Sequence, residues 1–200
     1  MMLLPAATAG AQTKEPPGPY VVDARGVFAR FRDNETVAGE LLVPSVNLPT
    51  RGFGVTAGAH WYPLHAKAIT IGIGGEWLTA RGSESLAGTD ETTPEVTVRD
   101  SLTAISPQLS INFGGRNGWS YISGGLGQAK LTMERTDTPT GSTWRRAINY
   151  GVGARWFATA HVAVSLDIRW YAIDEQPETL TEPLIPHMTL LMLSGGIALR

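Results

Sequence analysis

The sequence predicts an all-β protein: an eight-stranded antiparallel transmembrane up-and-down β-barrel with four long extracellular loops and short periplasmic turns. Three observations predict it. Apolar residues alternate with other types at the period of a strand, over stretch after stretch. In "GVGARWFATAHVAVSLDIRWYAIDE", residues 151–175, one parity holds Val152, Ala154, Trp156, then Val162, Val164, Leu166, Ile168 and Trp170. The other parity carries glycine and paired charge, with Arg155, Asp167 and Arg169 following Asn149. A soluble hairpin turns its apolar face inward and its polar face to water. Here the apolar face is edged by tryptophan and the charges sit on a face dense in glycine, which suits lipid outside and a packed lumen inside. The third observation is a rhythm of connections, long then short.

The strands are expected near 20–31, 52–62, 68–80, 97–113, 118–133, 144–157, 161–173 and 188–199. The first segment opens at Tyr20 and carries Asp23 and Arg25 on its inward parity. After the long "RDNETVAGELLVPSVNLPTR", the second presents Phe53, Val55, Ala57, Ala59 and Trp61 outward. The short "PLHAK" leads to a third with Ile69, Ile71, Ile73 and Trp77 outward. The long "RGSESLAGTDETTPEV" precedes a fourth with Ile105, Leu109, Ile111 and Phe113 outward and Pro107 in its interior. The short "GGRN", the long "ERTDTPTGST", the short "ATA" and the long "DEQPETLTEPLIPH" separate the rest. An even strand count places both termini at the short-turn end.

Aromatic residues fall at segment ends. Tyr20, Trp61, Phe113 and Trp156 lie near the short turns, while Phe28, Phe53, Trp77, Trp144 and Trp170 lie near the long loops. Two such girdles around an apolar band suit the two membrane interfaces. Trp119 alone among the tryptophans has inward parity. The inward set is Asp23, Arg25, His60, Glu76, Gln108, Asn112, Asn149, Arg155, Asp167 and Arg169, expected to form one lumen polar network. A barrel of eight strands has an interior that side chains can fill. If the turns pair residues symmetrically, Gly151 lies opposite Asp167 and Gly54 opposite Glu76.

Composition narrows the function classes. Net charge is -2 with no basic run, so nothing points to nucleic acid. No cysteine is present, which excludes disulfides, thiolate metal sites and a cysteine nucleophile. No apolar run approaches the ~18 residues of a membrane helix, and the mean hydropathy near zero is what a barrel of alternating faces gives. Residues 1–19, "MMLLPAATAGAQTKEPPGP" and Tyr20's predecessor segment, read as a signal-peptide remnant and N-terminal tail, with Ala9-Gly10-Ala11 of small-x-small form. The barrel occupies 20–200.

The chain resembles the small bacterial outer-membrane β-barrel protein family, the eight-stranded OmpA membrane-domain type. "GFGVTAGAHWYPL", "ITIGIGGEWLTA", "ISPQLSINFGG", "GWSYISGGLGQAKL" and "NYGVGARWFATAHVAVSLDIRWY" carry the likeness over residues 20–200. The resemblance implies a place in the bacterial outer membrane with both termini periplasmic, and as partners the outer-membrane lipid and the barrel-assembly machinery. It leaves any extracellular partner unnamed. Family members commonly close on an aromatic residue, whereas this sequence closes on "SGGIALR".

Chemistry is sparse. His65 and His161 sit in short turns and His187 at a loop end; His161 and Ser165 share a strand face about 13 Å apart, too far to bond. His60 beside Thr56 or Glu76 is the inward histidine, and a lumen hydrogen-bond network explains it better than catalysis. The acids of "DNE", "GTDE" and "IDEQPE" lack the geometry of a calcium loop, so no metal is expected. "IGIGGEW" and "SGGLGQ" lack the helix and Gly-Lys-Ser/Thr of a phosphate loop, and no cofactor is expected. The apolar "ELLVPSV" and "PLIP" are expected to pack over the barrel mouth rather than bind a partner. The expected role is a non-enzymatic structural or surface-interaction barrel, or a very narrow pore. The alternatives are passage of small hydrophobic molecules through a lateral opening at Pro107, a lipid-modifying enzyme, and a soluble ligand-binding barrel.

Overall fold

The structure, a computed structural model, describes residues 18–31, 35–40, 42, 44, 48–66, 69–86, 96–136, 142–178 and 184–200. The expected signal remnant and N-terminal tail, 1–19, lies outside these residues except for Gly18 and Pro19. The strands are β1 (Tyr20–Arg30), β2 (Arg51–Ala66), β3 (Ile69–Leu86), β4 (Val96–Gly115), β5 (Gly118–Arg135), β6 (Arg145–Phe157), β7 (Val162–Ile173) and β8 (Met188–Leu199). A short helix, α1 (Glu35–Glu40), lies between β1 and β2. The strands form one closed barrel in sequence order, each antiparallel to its neighbours, with β1 paired to both β2 and β8. Closure leaves no edge strand, which hydrocarbon could not satisfy.

Two tight connections mark one end. Residues 116 and 117 form the turn from β4 to β5, where Gly114 adopts a φ of +142°. Between β6 and β7 the Ala158 and Thr159 N–H groups both donate to the Val162 carbonyl, at 2.9 and 3.2 Å. Arg200 ties this end together: its guanidinium donates to the carbonyls of Ala160 and Arg116 and lies 3.8 Å from the centre of the Phe157 ring.

Three strands outrun the sequence expectation at the opposite end. The stretch 81–96, read as loop, is ladder at both ends, with Gly82 opposite Asp100, Glu84 opposite Val98 and Leu86 opposite Val96. The two symmetric registers are also corrected. Gly151 lies opposite Arg169, and Gly153 takes the place opposite Asp167. Gly54 lies opposite Ala80, and Gly58 faces Glu76. The second slip comes from the strand ends: β2 continues through His65 to Ala66, which pairs with Ile69, so the pairing is not centred on His65, and the irregularity between Trp61 and Leu64 changes it by only one residue.

The reason for the long strands is an inversion of polarity along them. On β4 the outward residues are Ile105, Pro107, Leu109, Ile111 and Phe113, then Thr103, Ser101, Arg99 and Thr97 towards the strand's start. The inward residues do the reverse, with Asp100 as the exception: Ser106, Gln108, Ser110 and Asn112 are followed by Ala104, Leu102, Asp100 and Val98. β3 inverts beyond Trp77, where Thr79, Arg81 and Ser83 turn outward and Leu78 and Ala80 inward. β5 inverts beyond Leu126, with Gln128, Lys130, Thr132 and Glu134 outward and Ala129, Leu131 and Met133 inward. The lipid-type pattern on β4 thus lasts about nine residues, the length a tilted strand needs to cross hydrocarbon. Beyond it the wall has the polarity of a soluble protein.

The interior is layered accordingly. At the turn end Tyr62, Trp119 and Tyr121 pack with Val21, Ala163 and Ala198. Trp119, the exception to outward parity, meets Tyr62 edge-on at 5.9 Å and stacks on Phe157 at 5.2 Å. Charged and amide side chains fill the middle. At the far end Leu78, Leu102, Leu131, Ile173, Leu190 and their neighbours form an apolar core. Val37 and Ala38 of α1, with Leu48 and Ile185, join that core. Ile185, of "PLIP", is buried in that core; of "ELLVPSV", Leu42 is exposed and residues 41, 43, 45 and 46 lie outside the described residues.

The inversion predicts where an outward arginine is tolerated. Leu109→Arg, within the apolar band, should cost about 2–4 kcal/mol of folding free energy in vesicles, and Ser101→Arg about 0–1. Denaturant titration of the vesicle-inserted protein measures both. Equal costs would contradict the assigned boundary.

Candidate functional site: the lumen network

Three arginines and three carboxylates meet in the middle layer. Arg25 on β1 is the hub. Its Nε donates to Asp23 Oδ1 at 2.9 Å, its Nη2 to Glu76 Oε2, and its Nη1 lies 3.4 Å from Asp167 Oδ1. Arg169 Nε and Nη2 grip the two oxygens of Asp167 at 3.2 and 3.1 Å, and Nε lies 3.4 Å from Glu76 Oε1. Arg155 Nη2 donates to Asp23 Oδ2 at 2.5 Å. All six are buried. Their formal charges cancel, which is the condition for holding so many ions away from water.

Neutral side chains occupy most of the remaining hydrogen-bonding positions, leaving Arg155 Nε and Gln108 Oε1 without a partner. Tyr171 donates to Glu76 at 2.6 Å, Tyr121 to Asp167 at 2.9 Å, and Arg155 Nη1 donates to the Tyr62 hydroxyl at 3.0 Å. Arg169 also donates to Asn149 Oδ1 and Ser123 Oγ, at 2.8 and 2.7 Å, and Arg25 to Ser194. Gln108 Nε2 donates to Asn149 Oδ1, and Asn149 Nδ2 to Ser106 Oγ at 2.6 Å. The Arg155 guanidinium lies 4.7 Å from the centre of the Tyr121 ring. Glycines set the clearances. A Cβ at Gly153 would fall 2.4 Å from the Tyr121 ring, and one at Gly74 2.6 Å from His60.

Of the expected inward residues, Asp23, Arg25, Glu76, Gln108, Asn149, Arg155, Asp167 and Arg169 join through the contacts above. Asn112 is buried apart from them, donating to the Thr70 carbonyl and to Ser110. His60 departs from expectation. It is buried and stacks on Tyr62 at 6.4 Å, but its Nδ1 has no hydrogen-bond partner, and Thr56 bonds the Trp77 carbonyl instead. The sequence reading missed the hydroxyls of Tyr62, Tyr121, Tyr171, Ser106, Ser123 and Ser194. Parity would have found Tyr121 and Ser123, which alternate inward with Trp119 on β5.

The aromatics expected at the interfaces are mostly exposed on the outer wall: Tyr20, Phe53, Trp61, Trp77, Phe113 and Trp156 on strands, and Trp144 just before β6. Trp170 is half-buried, stacked on Tyr150 at 5.7 Å. Pro107 lies where the β4–β5 pairing lapses between Ile105–Gln128 and Gln108–Gly125. The register is unchanged across the lapse, and a Cβ at Gly125 would stand 2.2 Å from the Pro107 carbonyl oxygen, so the strands stay in contact there.

The family model described as outer membrane protein beta-barrel domain matches residues 1–183. No curated protein matches the sequence. Among solved structures, Neisserial surface protein A is similar with a TM-score of 0.55 at 11% identity, over 92% of this chain and 97% of that one. The outer membrane protein OprG from Pseudomonas aeruginosa is similar with a TM-score of 0.54 at 7% identity, over 94% of this chain and 97% of that one. At such identities the likeness is one of fold.

Removing the hub should be costly. Arg25→Gln leaves three buried carboxylates facing two arginines and should destabilise the barrel by about 3–5 kcal/mol. Adding Glu76→Gln restores neutrality and should recover part of that loss. Urea unfolding of the two variants measures the coupling; simple additivity would contradict a shared network.

Proposed function

This chain belongs to the outer membrane protein β-barrel family, and on that footing we propose that it is a closed, non-enzymatic outer-membrane scaffold that presents its far end to the exterior. Its place is the bacterial outer membrane. The observation that carries the reading is the filled interior. A neutral ionic layer stands between an aromatic layer and an apolar core, and each is made of buried side chains. Such a barrel supports what its connections display rather than a flux through its axis. The tight turns at 116–117 and 158–161 lie in the periplasm with both chain ends, and α1 and the segment around Ile185 face outward. The exposed aromatics of the wall sit at the two lipid interfaces. Passage through a lateral opening is the weaker reading, because the strands remain in contact beside Pro107.

Purified protein in planar bilayers should give no resolvable conductance steps; stable steps of large conductance would contradict the filled interior. Orientation is tested on cells. An epitope inserted at 137–140 should be reached by antibody on intact cells, and one added after Arg200 only after permeabilisation. The opposite pattern would invert the proposed topology.

A further inference from the structure

We infer that a row of four arginines on the outer wall, Arg30, Arg51, Arg81 and Arg99, binds the phosphate groups of anionic lipid in the leaflet at the far end of the barrel. The inference rests on the reading that this wall meets a bilayer.

The row follows from the register. Arg30 and Arg51 stand directly opposite each other across β1 and β2. Phe53 is opposite Arg81, so Arg51, two residues along β2 on the same face, is a diagonal neighbour of Arg81. Arg81 is opposite Ser101 and Ser83 opposite Arg99, so Arg81 and Arg99 are diagonal neighbours in turn. Opposite positions are about 5 Å apart and diagonal ones about 7–8 Å. Four adjacent strands therefore carry one continuous cationic row, and all four side chains are exposed.

Like charges set opposite each other destabilise a sheet. Among the described residues none of the four arginines has an ion-pair partner within 4 Å or a side-chain hydrogen bond. Arg146, on the β6 wall, is different, with Asp174 at 3.0 Å. One acid, Glu134, stands at the end of the row opposite Arg99. Arg81, Ser83, Arg99 and Ser101 line a shallow polar hollow together with the carboxylates of Asp100 and Glu134, so hydroxyl groups flank the two guanidinium groups.

Position selects the anion. Arg30 is two residues beyond Phe28, and Arg51 two beyond Phe53, about 7 Å along each strand. Phe28 and Phe53 form an edge-on pair at 5.5 Å on the rim of the apolar wall. The Arg30 and Arg51 guanidinium groups thus stand one step beyond that rim, at the depth of headgroup phosphates, while Arg81 and Arg99 lie further out, four residues past Trp77 and six past Ile105. Arginine presents a planar fork of donors that fits two phosphate oxygens at once.

The test uses the full chain in phosphatidylcholine vesicles containing a minor fraction of bisphosphorylated lipid A. Protein is extracted with its bound lipid, and retained lipid A is quantified by mass spectrometry. The unmodified chain should retain roughly tenfold more than Arg51→Gln/Arg81→Gln. Arg51→Lys/Arg81→Lys should keep most of the retention. Dephosphorylated lipid A should not be retained, and inorganic phosphate should not displace the phosphorylated form. Equal retention by the glutamine variant overturns the inference, as does retention of the dephosphorylated lipid. Displacement by inorganic phosphate or by heparin also overturns it, in favour of a free-anion or soluble-polyanion site. Cold-gel mobility reports folding of each variant; if the glutamine pair does not fold, the dephosphorylated-lipid and displacement arms still decide. Failure of the unmodified chain to enter vesicles would instead overturn the membrane reading beneath the inference.

Discussion

Hydrocarbon offers no hydrogen bonds, and the rest of this structure depends on that. A sheet crossing it must close on itself, and here β1 meets β8 to do so. Closing with eight strands leaves a lumen narrow enough for side chains to fill. Whatever fills it must satisfy its own polar groups. Arg25 answers this by touching all three carboxylates, and Arg155 and Arg169 bring the charge to zero. Tyrosine, serine and amide groups take up hydrogen bonds the ions leave. The inward glycines are part of the same solution, because Tyr121 occupies the space a side chain at Gly153 would need.

The wall obeys a different rule once it leaves the membrane. Above Ile105 on β4 and Trp77 on β3 the outer face meets water, so threonine, serine and arginine move outside and leucine, valine and alanine move inside. The interior there is mostly apolar, with Asp100 and Arg145 as buried charged exceptions, and burial of apolar area drives its packing. α1 and Ile185 complete that core, so the far end is fastened by the same force as a soluble domain. The outward arginines stand at the join between the two regimes.

The strand pattern was legible because period-two alternation is a local signal. All eight strands were placed, most ends falling within a few residues of the observed ones, and the six ions of the middle layer were identified by parity alone, though the buried Asp100 and Arg145 were missed. Register was less legible. It depends on where each strand ends, and the continuation of β2 to Ala66, paired with Ile69, moves the partner of Glu76 from Gly54 to Gly58 without altering either face. The extensions of β3 to Leu86 and β5 to Arg135 were hidden for another reason. Beyond the inversion a polar outward face resembles loop composition, as "RGSES" and "ERT" illustrate. Trp119 was an exception while only lipid could account for tryptophan; Tyr62 and Phe157, distant in sequence, supply its packing. His60 shows the limit of parity, which gave its burial but not the absence of a partner for Nδ1.

The central claim is that polarity inverts along each long strand where it crosses the membrane boundary. The chain has no cysteine, so single cysteines can be introduced along β4 without background. Each variant is inserted in vesicles and exposed to a membrane-impermeant maleimide. Thr97→Cys, Ser101→Cys and Thr103→Cys should label, while Leu109→Cys, Ile111→Cys and the inward Leu102→Cys and Ala104→Cys should be protected. Labelling at Leu102→Cys and Ala104→Cys with protection at Ser101→Cys and Thr103→Cys would contradict the inversion, and with it the layered interior.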